Sequence, residues 1–283
     1  NLVKSHACGV GEEVPKEIVS AFGFLPLDDN TLLVNSFNNG FLTVDLSKKT
    51  VKQQLWPISK SGEFVKLRGI RAVKKGLNGD LLIGTHTREN TYLRLNNELE
   101  VIEAYGKDQM LNNHVFDVLE DKEHNTWLAT WGGGIAFKPA NKDSFIFITM
   151  SHGLPSNTIY SINQSADGAI WVSSSAGLVR INKYKTNTLA NWEFRQFDKN
   201  DGLTTDTFDS EGFSIQTNGT FMYGGISGLV WFDPVKDIKF NSIQPSKSFV
   251  TNLTINGSSY SKLTNAKNNF EQISKVQRMK KPL

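Results

Sequence analysis

The chain has 283 residues, enough for one large domain or two modest ones, and its 31 Lys and Arg nearly balance its 28 Asp and Glu, leaving a net charge of +3. That balance excludes a strongly basic nucleic-acid platform, and 39% hydrophobic residues with 18 Phe, 6 Tyr and 6 Trp exclude a disordered chain. The single Cys8 excludes an internal disulfide or thiolate cluster, and no apolar run approaches the ~20 residues of a membrane-spanning helix.

Taken in chain order, the same strand-turn-strand unit returns five times. The first copy is an alternating segment from Ile18 to Leu25, an Asp29-Asn30 turn, a strand Thr31–Val34 and a second strand Gly40–Val44. The next runs through Gly69-Ile70-Arg71-Ala72-Val73, the Asn78-Gly79 turn, Leu81–Thr85 and, after an enlarged turn, Tyr92–Leu95. A third holds Asn113–Val118, a turn at Glu123–Asn125, Thr126–Thr130 around Trp127, and Gly134–Phe137. The fourth is the clearest: Asn157–Ile162, Asp167-Gly168, Ile170-Trp171-Val172-Ser173-Ser174, Gly177–Ile181 and an outer segment Glu193–Phe197. The fifth is looser at its start, Phe208 to Ile215, then regular through Asn218-Gly219, Thr220–Tyr223 and Gly228–Phe232.

Period-2 alternation punctuated by Gly, Asn and Asp is strand-and-turn chemistry. The equivalent strand centres, Leu33, Leu82, Trp127, Trp171 and Met222, are 49, 45, 44 and 51 residues apart. A repeat of about 45 residues holding four short strands predicts an all-β fold, a β-propeller of four-stranded blades. In each blade the alternating segment before the turn is the innermost strand and the Trp strand the second. Five blades are visible between about 14 and 232, fewer than the roughly 315 residues of a seven-bladed ring require, so they belong to a smaller ring or to part of a seven-bladed or double propeller. Asn1–Ser5 sit where an outer fourth strand would be, either completing the last blade or left over from a preceding one.

Asp233-Pro234 ends the strand pattern, 241–248 reads as a linker, and a new strand, Phe249–Ile255, closes on Asn256-Gly257. The organisation expected is a propeller over 1–240, then a linker and the truncated start of another domain over 241–283.

Gly153-Leu154-Pro155-Ser156-Asn157-Thr158-Ile159-Tyr160-Ser161-Ile162, followed by Asp167-Gly168-Ala169-Ile170-Trp171 and Gly177-Leu178, closely resembles the two-component regulator propeller repeat. The last blade, Asp201-Gly202-Leu203 through Gly224-Gly225-Ile226-Ser227-Gly228 to Asp233-Pro234, resembles that family's last blade. Phe249–Gly257 looks like the opening strand of the Ig-like sandwich that follows the propellers there. The resemblance covers about 14–234, with Leu33, Leu82 and Met222 in place of the second-strand Trp. It implies the periplasmic, non-catalytic sensor part of a bacterial membrane-bound signalling protein, with a histidine kinase or cyclase output outside the chain. It further implies an oligosaccharide or other small-molecule ligand, and as partners a neighbouring propeller and the Ig-like domain of the same protein. Contact with a membrane would come only through segments outside the chain, and a homodimer is left open.

A propeller binds at the mouth of its axial channel, where aromatic faces and hydrogen-bonding groups suit a sugar. The candidates are Trp131 beside Gly132-Gly133-Gly134, Asn113 and His114, then Asn157 and Tyr160, Arg71 and His86, and Asp206. Trp131 equally suits packing between blades, and Asn113 and Asn157 suit turn capping better than ligand binding. Five scattered histidines form no zinc motif, Asp198–Gly202 falls one residue short of a calcium loop, and no nucleophile motif or phosphate loop is present, so neither metal, cofactor nor catalytic residues are expected. Two alternatives stand beside the sensor. One is a propeller lyase resembling the streptogramin lyases, which would need His86, His114 and His152 to converge near a divalent metal. The other is a protein-interaction scaffold.

Overall fold

The computed structural model describes residues 21–36, 40–183, 189–237, 254–255 and 258–259. Asn1–Ser5, the 241–248 linker and most of the Phe249–Gly257 segment lie outside the described residues. The chain divides into two units, 1–238 and 239–283. In the second, β20 (Thr254–Ile255) and β21 (Ser258–Ser259) pair antiparallel.

The first unit is all-β, built of antiparallel meanders joined by turns. Blade 1 comprises β1 (Ala21–Pro26), β2 (Thr31–Ser36), β3 (Gly40–Asp45) and β4 (Thr50–Leu55), and blade 2 comprises β5 (Ile70–Lys75), β6 (Leu81–Thr85), β7 (Tyr92–Leu95) and β8 (Val101–Tyr105). Blade 3 holds β9 (Val115–Glu120), β10 (Thr126–Thr130), β11 (Ile135–Lys138) and β12 (Ile146–Ile148), and blade 4 holds β13 (Ile159–Gln164), β14 (Ile170–Ser174), β15 (Gly177–Asn182) and β16 (Glu193–Phe197). Blade 5 has three strands among the described residues, β17 (Phe208–Ile215), β18 (Phe221–Gly225) and β19 (Gly228–Phe232). β19 stops at Asp233-Pro234, where the Asp233 carboxylate accepts the N–H groups of Val235 and Lys236, both at 3.0 Å, and turns the chain away.

In blades 2 to 5 the turn between first and second strands takes one left-handed residue, and Gly79, His124, Gly168 and Gly219 supply it with φ of 89°, 61°, 90° and 86°. Side chains finish the turn. In blade 3 the Asp121 carboxylate accepts the N–H groups of Glu123 and Asn125, each at 2.9 Å.

First strands of successive blades lie side by side, β1 against β5, β5 against β9, β9 against β13 and β13 against β17, which is the inner ring of a propeller. Blades pack face to face. Leu33 and Phe41 of blade 1 meet Ile70, Leu81, Ile83 and Leu93 of blade 2, and Leu82 and Tyr92 meet Val115, Val118 and Leu128 of blade 3. Trp127 and Phe137 meet Ile159, Ile162, Ile170 and Val172 of blade 4, and Trp171 and Leu178 meet Phe208, Phe221 and Tyr223 of blade 5. Each such side chain contributes about 1.5–3 kcal/mol through burial, so the core lies between sheets rather than within one.

One ion pair links three inner strands. Lys74 Nζ on β5 lies 2.8 Å from Asp117 on β9, and Asp117 Oδ2 also accepts the Ile162 N–H of β13 at 2.9 Å. This clamp holds the inner strands of blades 2 to 4 in register.

Candidate functional site

A β-bulge of one residue sits at the same place in the first strands of blades 1 to 4. In blade 2 Ile70 pairs with Thr85 and Ala72 with Gly84, so Arg71 is the extra residue of the strand. Val115 and Asp117 pair with Thr130 and Ala129 around an unpaired Phe116, and Ile159 and Ser161 pair with Ser174 and Ser173 around Tyr160. Phe22 holds the equivalent position in β1. A bulge inserts one residue on one strand and re-aims its side chain. Arg71, Phe116 and Tyr160 accordingly leave the blade-to-blade alternation and come together.

Phe116 is the hub. The Arg71 guanidinium lies 5.6 Å from the centroid of its ring, the Tyr160 ring 5.5 Å away, and Trp131 stacks on it at 6.0 Å. His86, at the end of the second strand of blade 2, meets Phe116 edge-on at 5.4 Å and His114 at 4.5 Å, and His114 in turn meets Trp131 edge-on at 5.5 Å. Three adjacent blades thus build one aromatic and imidazole surface with a guanidinium at its edge.

Local structure holds Trp131 at the rim. Its N–H donates to the His114 carbonyl at 2.9 Å, and the Thr130 hydroxyl donates to the Gly134 carbonyl at 2.8 Å across the Gly132-Gly133-Gly134 loop. Gly134 has φ 75°, and a Cβ there would run into the Ile148 carbonyl, so the position requires glycine. The indole is left half exposed, at 51%.

Burial, reinforced by Arg71 and His114, pulls the His86 imidazole down to about 4, so it is neutral near pH 7. His114 Nδ1 is buried with no hydrogen-bond partner among the described residues. The cluster therefore presents aromatic faces beside a neutral imidazole, a surface able to stack on a sugar ring.

Of the residues singled out from the sequence, Trp131, His114, His86, Arg71 and Tyr160 fall in this cluster. Asn157 and Asp206 do other work. Asn157 Oδ1 accepts the Met150 N–H at 2.9 Å, and Asp206 Oδ1 accepts the Lys199 N–H at 2.7 Å, each closing a 3₁₀ turn seven residues upstream. Asn113 is half-buried in the connection before β9. Phe116 went unselected because an aromatic inside a strand reads as core, yet it holds the same slot as Arg71 and Tyr160, one residue after the first apolar residue of each inner strand.

A separate cavity of about 360 Å³ between blades 2 and 3 is lined by Arg94, Glu103, Glu120, His124 and Lys138. Its polar side chains pair with one another, Arg94 with Glu120 at 3.2 Å, His124 with Glu120 at 3.0 Å and Lys138 with Glu103 at 3.3 Å. Among the described residues, no three His, Cys, Asp or Glu side chains gather to hold a metal ion.

Residues 153–176, the connection into blade 4 and its first two strands, match the family model for the two component regulator propeller. This is a two-component regulator propeller repeat. A curated histidine kinase, P4 of Formosa agariphila, is 24% identical over 276 aligned positions that cover 78% of this chain and 19% of that protein. The extracellular domain of a hybrid two-component system from B. thetaiotaomicron superposes with a TM-score of 0.66 at 21% identity, covering 87% of this chain and 32% of that one. Virginiamycin B lyase from Staphylococcus aureus gives 0.54 at 12% identity, covering 78% of this chain and 73% of the lyase. The chain thus spans about a fifth of the length of the kinase relative and about a third of the Bacteroides domain. Among the described residues no helix is long and apolar enough to cross a membrane.

Proposed function

We propose that this chain is a non-catalytic ligand-sensing propeller segment of a bacterial signalling protein of the hybrid two-component type, lying in the periplasm, and that its mouth binds an oligosaccharide. One observation carries the reading: three consecutive bulges aim Arg71, Phe116 and Tyr160 into a single cluster with His86, His114 and Trp131. A purely structural bulge would not need aromatic and cationic side chains converging at an accessible rim. Signalling follows if the ligand favours one of two arrangements of the propeller and its neighbours, namely a further propeller, an Ig-like domain or a second copy.

Calorimetric titration with a panel of oligosaccharides tests this. Saturable binding that weakens tenfold or more in Trp131→Ala and Phe116→Ala, with no need for added metal, is the expected result. Binding that both variants leave intact removes the mouth from the proposal, and no binding to any saccharide leaves a scaffold for protein contacts.

The His86–His114 pair favours a second reading, an elimination reaction like that of the structurally similar lyase. Such chemistry needs a base and a metal, and the third histidine considered, His152, is held in a turn where its Nδ1 accepts the Thr149 N–H at 3.1 Å. Incubation with a type B streptogramin and Mg²⁺, followed by chromatography for the ring-opened product, decides between them.

A further inference from the structure

Blade 5 departs from its neighbours at the place where they supply the mouth. Where blades 2 to 4 have one residue out of register, β17 runs four residues, Asp209 to Gly212, opposite Gly224 alone. Gly212 closes the excursion, because a Cβ on it would stand 2.8 Å from the Gly224 carbonyl oxygen. Asp209, Ser210 and Glu211 therefore take the slot filled elsewhere by Arg71, Phe116 or Tyr160, on the strand beside that of Tyr160.

The excursion opens a groove of about 400 Å³ walled by Asp209, Ser210 and the bare backbone of Gly212, Gly224 and Gly225. Two of these glycines answer to crowding: Gly212, as above, and Gly225, whose Cβ would meet the Thr207 carbonyl at 2.6 Å. Gly224 does not. A Cβ there meets nothing nearer than Gly212 Cα at 3.4 Å, ordinary contact, and its backbone is not left-handed. The fold has room for a side chain at 224, and glycine leaves that room to the groove. Asp209 is exposed, its Oδ1 accepts the Ser210 N–H at 2.6 Å, and among the described residues no hydrogen bond reaches its Oδ2.

We infer that this groove is a subsite for one uncharged sugar ring, whose hydroxyls donate to Asp209 while its edge lies along the glycine backbone; the assignment rests on the saccharide reading of the mouth. A carboxylate accepts hydroxyl hydrogens in strong charge-assisted bonds. The same carboxylate repels a uronate or sulfate ester, so an anionic ring is rejected here. The aromatic cluster of blades 2 to 4 supplies stacking, and blade 5 supplies polar recognition.

The test is calorimetric titration of the 283-residue chain with cello-, xylo-, manno- and arabinohexaose and, as the charged counterpart, trigalacturonate. A neutral hexasaccharide is expected to bind, about tenfold more weakly to Asp209→Asn and to Gly224→Val, with trigalacturonate at least tenfold weaker on the unchanged chain. Asp209→Asn preserves size, and Gly224→Ala adds only a methyl at contact distance, so a graded loss from Gly224→Ala to Gly224→Val with unchanged melting temperatures reports the groove and not the fold. Loss of binding in Trp131→Ala with no change in the groove variants overturns the subsite and leaves the mouth standing. Trigalacturonate binding as tightly as the neutral sugars overturns the subsite's specificity. If no saccharide binds the unchanged chain, the mouth reading fails and the subsite with it.

Discussion

Trp127 and Trp171 occupy the same position in neighbouring blades, both at or below 1% exposure, yet their indole N–H groups meet different surroundings. Trp127 Nε1 donates to Asp121 Oδ2 at 2.8 Å, and the same carboxylate takes the Asn125 side-chain amide at 2.9 Å and Lys183 Nζ of blade 4 at 3.1 Å. Trp171 packs on Phe197 at 5.4 Å and Phe232 at 4.9 Å, and its Nε1 has no acceptor among the described residues. Where blade 3 has Asp121, blade 4 has Ser165, whose hydroxyl is engaged by Asp167 and the Ala169 carbonyl. The repeat unit thus reproduces a volume between blades, while the polar wiring beneath it is settled blade by blade.

The sharpest way to break this comparison is Asp121→Ala. It strands a buried indole donor and leaves Lys183, only 9% exposed, with Glu123 as its remaining partner. A loss of about 3 kcal/mol in urea unfolding is expected. A loss under 1 kcal/mol would mean that Asp121 is incidental to the blade 3–blade 4 interface.

Next in size is the contrast between Trp127→Phe and Trp171→Phe. Both remove similar apolar area, but the first also withdraws a donor from a buried carboxylate, and the second removes a donor that has no acceptor among the described residues. Trp127→Phe should therefore cost about 1–2 kcal/mol more than Trp171→Phe, measured by the same unfolding curves. Equal costs would show that volume alone decides at both sites.

Acid sharpens the same contrast. Burial pushes the Asp121 carboxyl up, but hydrogen bonds from Trp127 and Asn125 and the Lys183 charge outweigh it and leave the carboxyl below its ordinary value. A carboxyl depressed in the folded state gives stability that is complete above the unfolded value, about 3.9, and is lost as pH falls through the folded one. The unchanged protein should lose stability on acidification below about pH 4–5, and Asp121→Asn should show a flatter slope across that window in pH-dependent denaturation. A slope identical to that of the unchanged protein would place the acid-sensitive group elsewhere.

The strand order and the blade period were legible because turn residues and period-2 alternation are local properties. The hub of the aromatic cluster was not. Phe116 sits out of register only relative to its partner strand, so Val115-Phe116-Asp117 reads as ordinary alternation, and only the superposed slots of Arg71 and Tyr160 mark it. The looser alternation of 208–215 was the visible trace of the larger excursion in β17. Asn157 and Asp206 lie at equivalent connections, and residues of that kind serve caps and ligands equally; only the N–H groups of Met150 and Lys199 show which use the chain makes of them.

The smallest effect concerns the residue that replaces Asp121. Ser165 has one hydroxyl hydrogen to donate, its Oγ lying 2.5 Å from Asp167 Oδ1 and 3.0 Å from the Ala169 carbonyl oxygen, and Asp167 also holds Arg180 at 2.8 Å on the strand beside Trp171. Burial raises the Asp167 carboxyl while the bonds from Ser165 and Arg180 lower it further than burial lifts it. Ser165→Ala removes one of those donors but leaves Arg180, so the turn survives with a loss of about 0.5–1.5 kcal/mol, and the loss should shrink below about pH 4 as Asp167 takes up a proton. A loss as large as that of Asp121→Ala would mean that the two blades depend on this position equally, and that the difference between their tryptophans has no energetic counterpart.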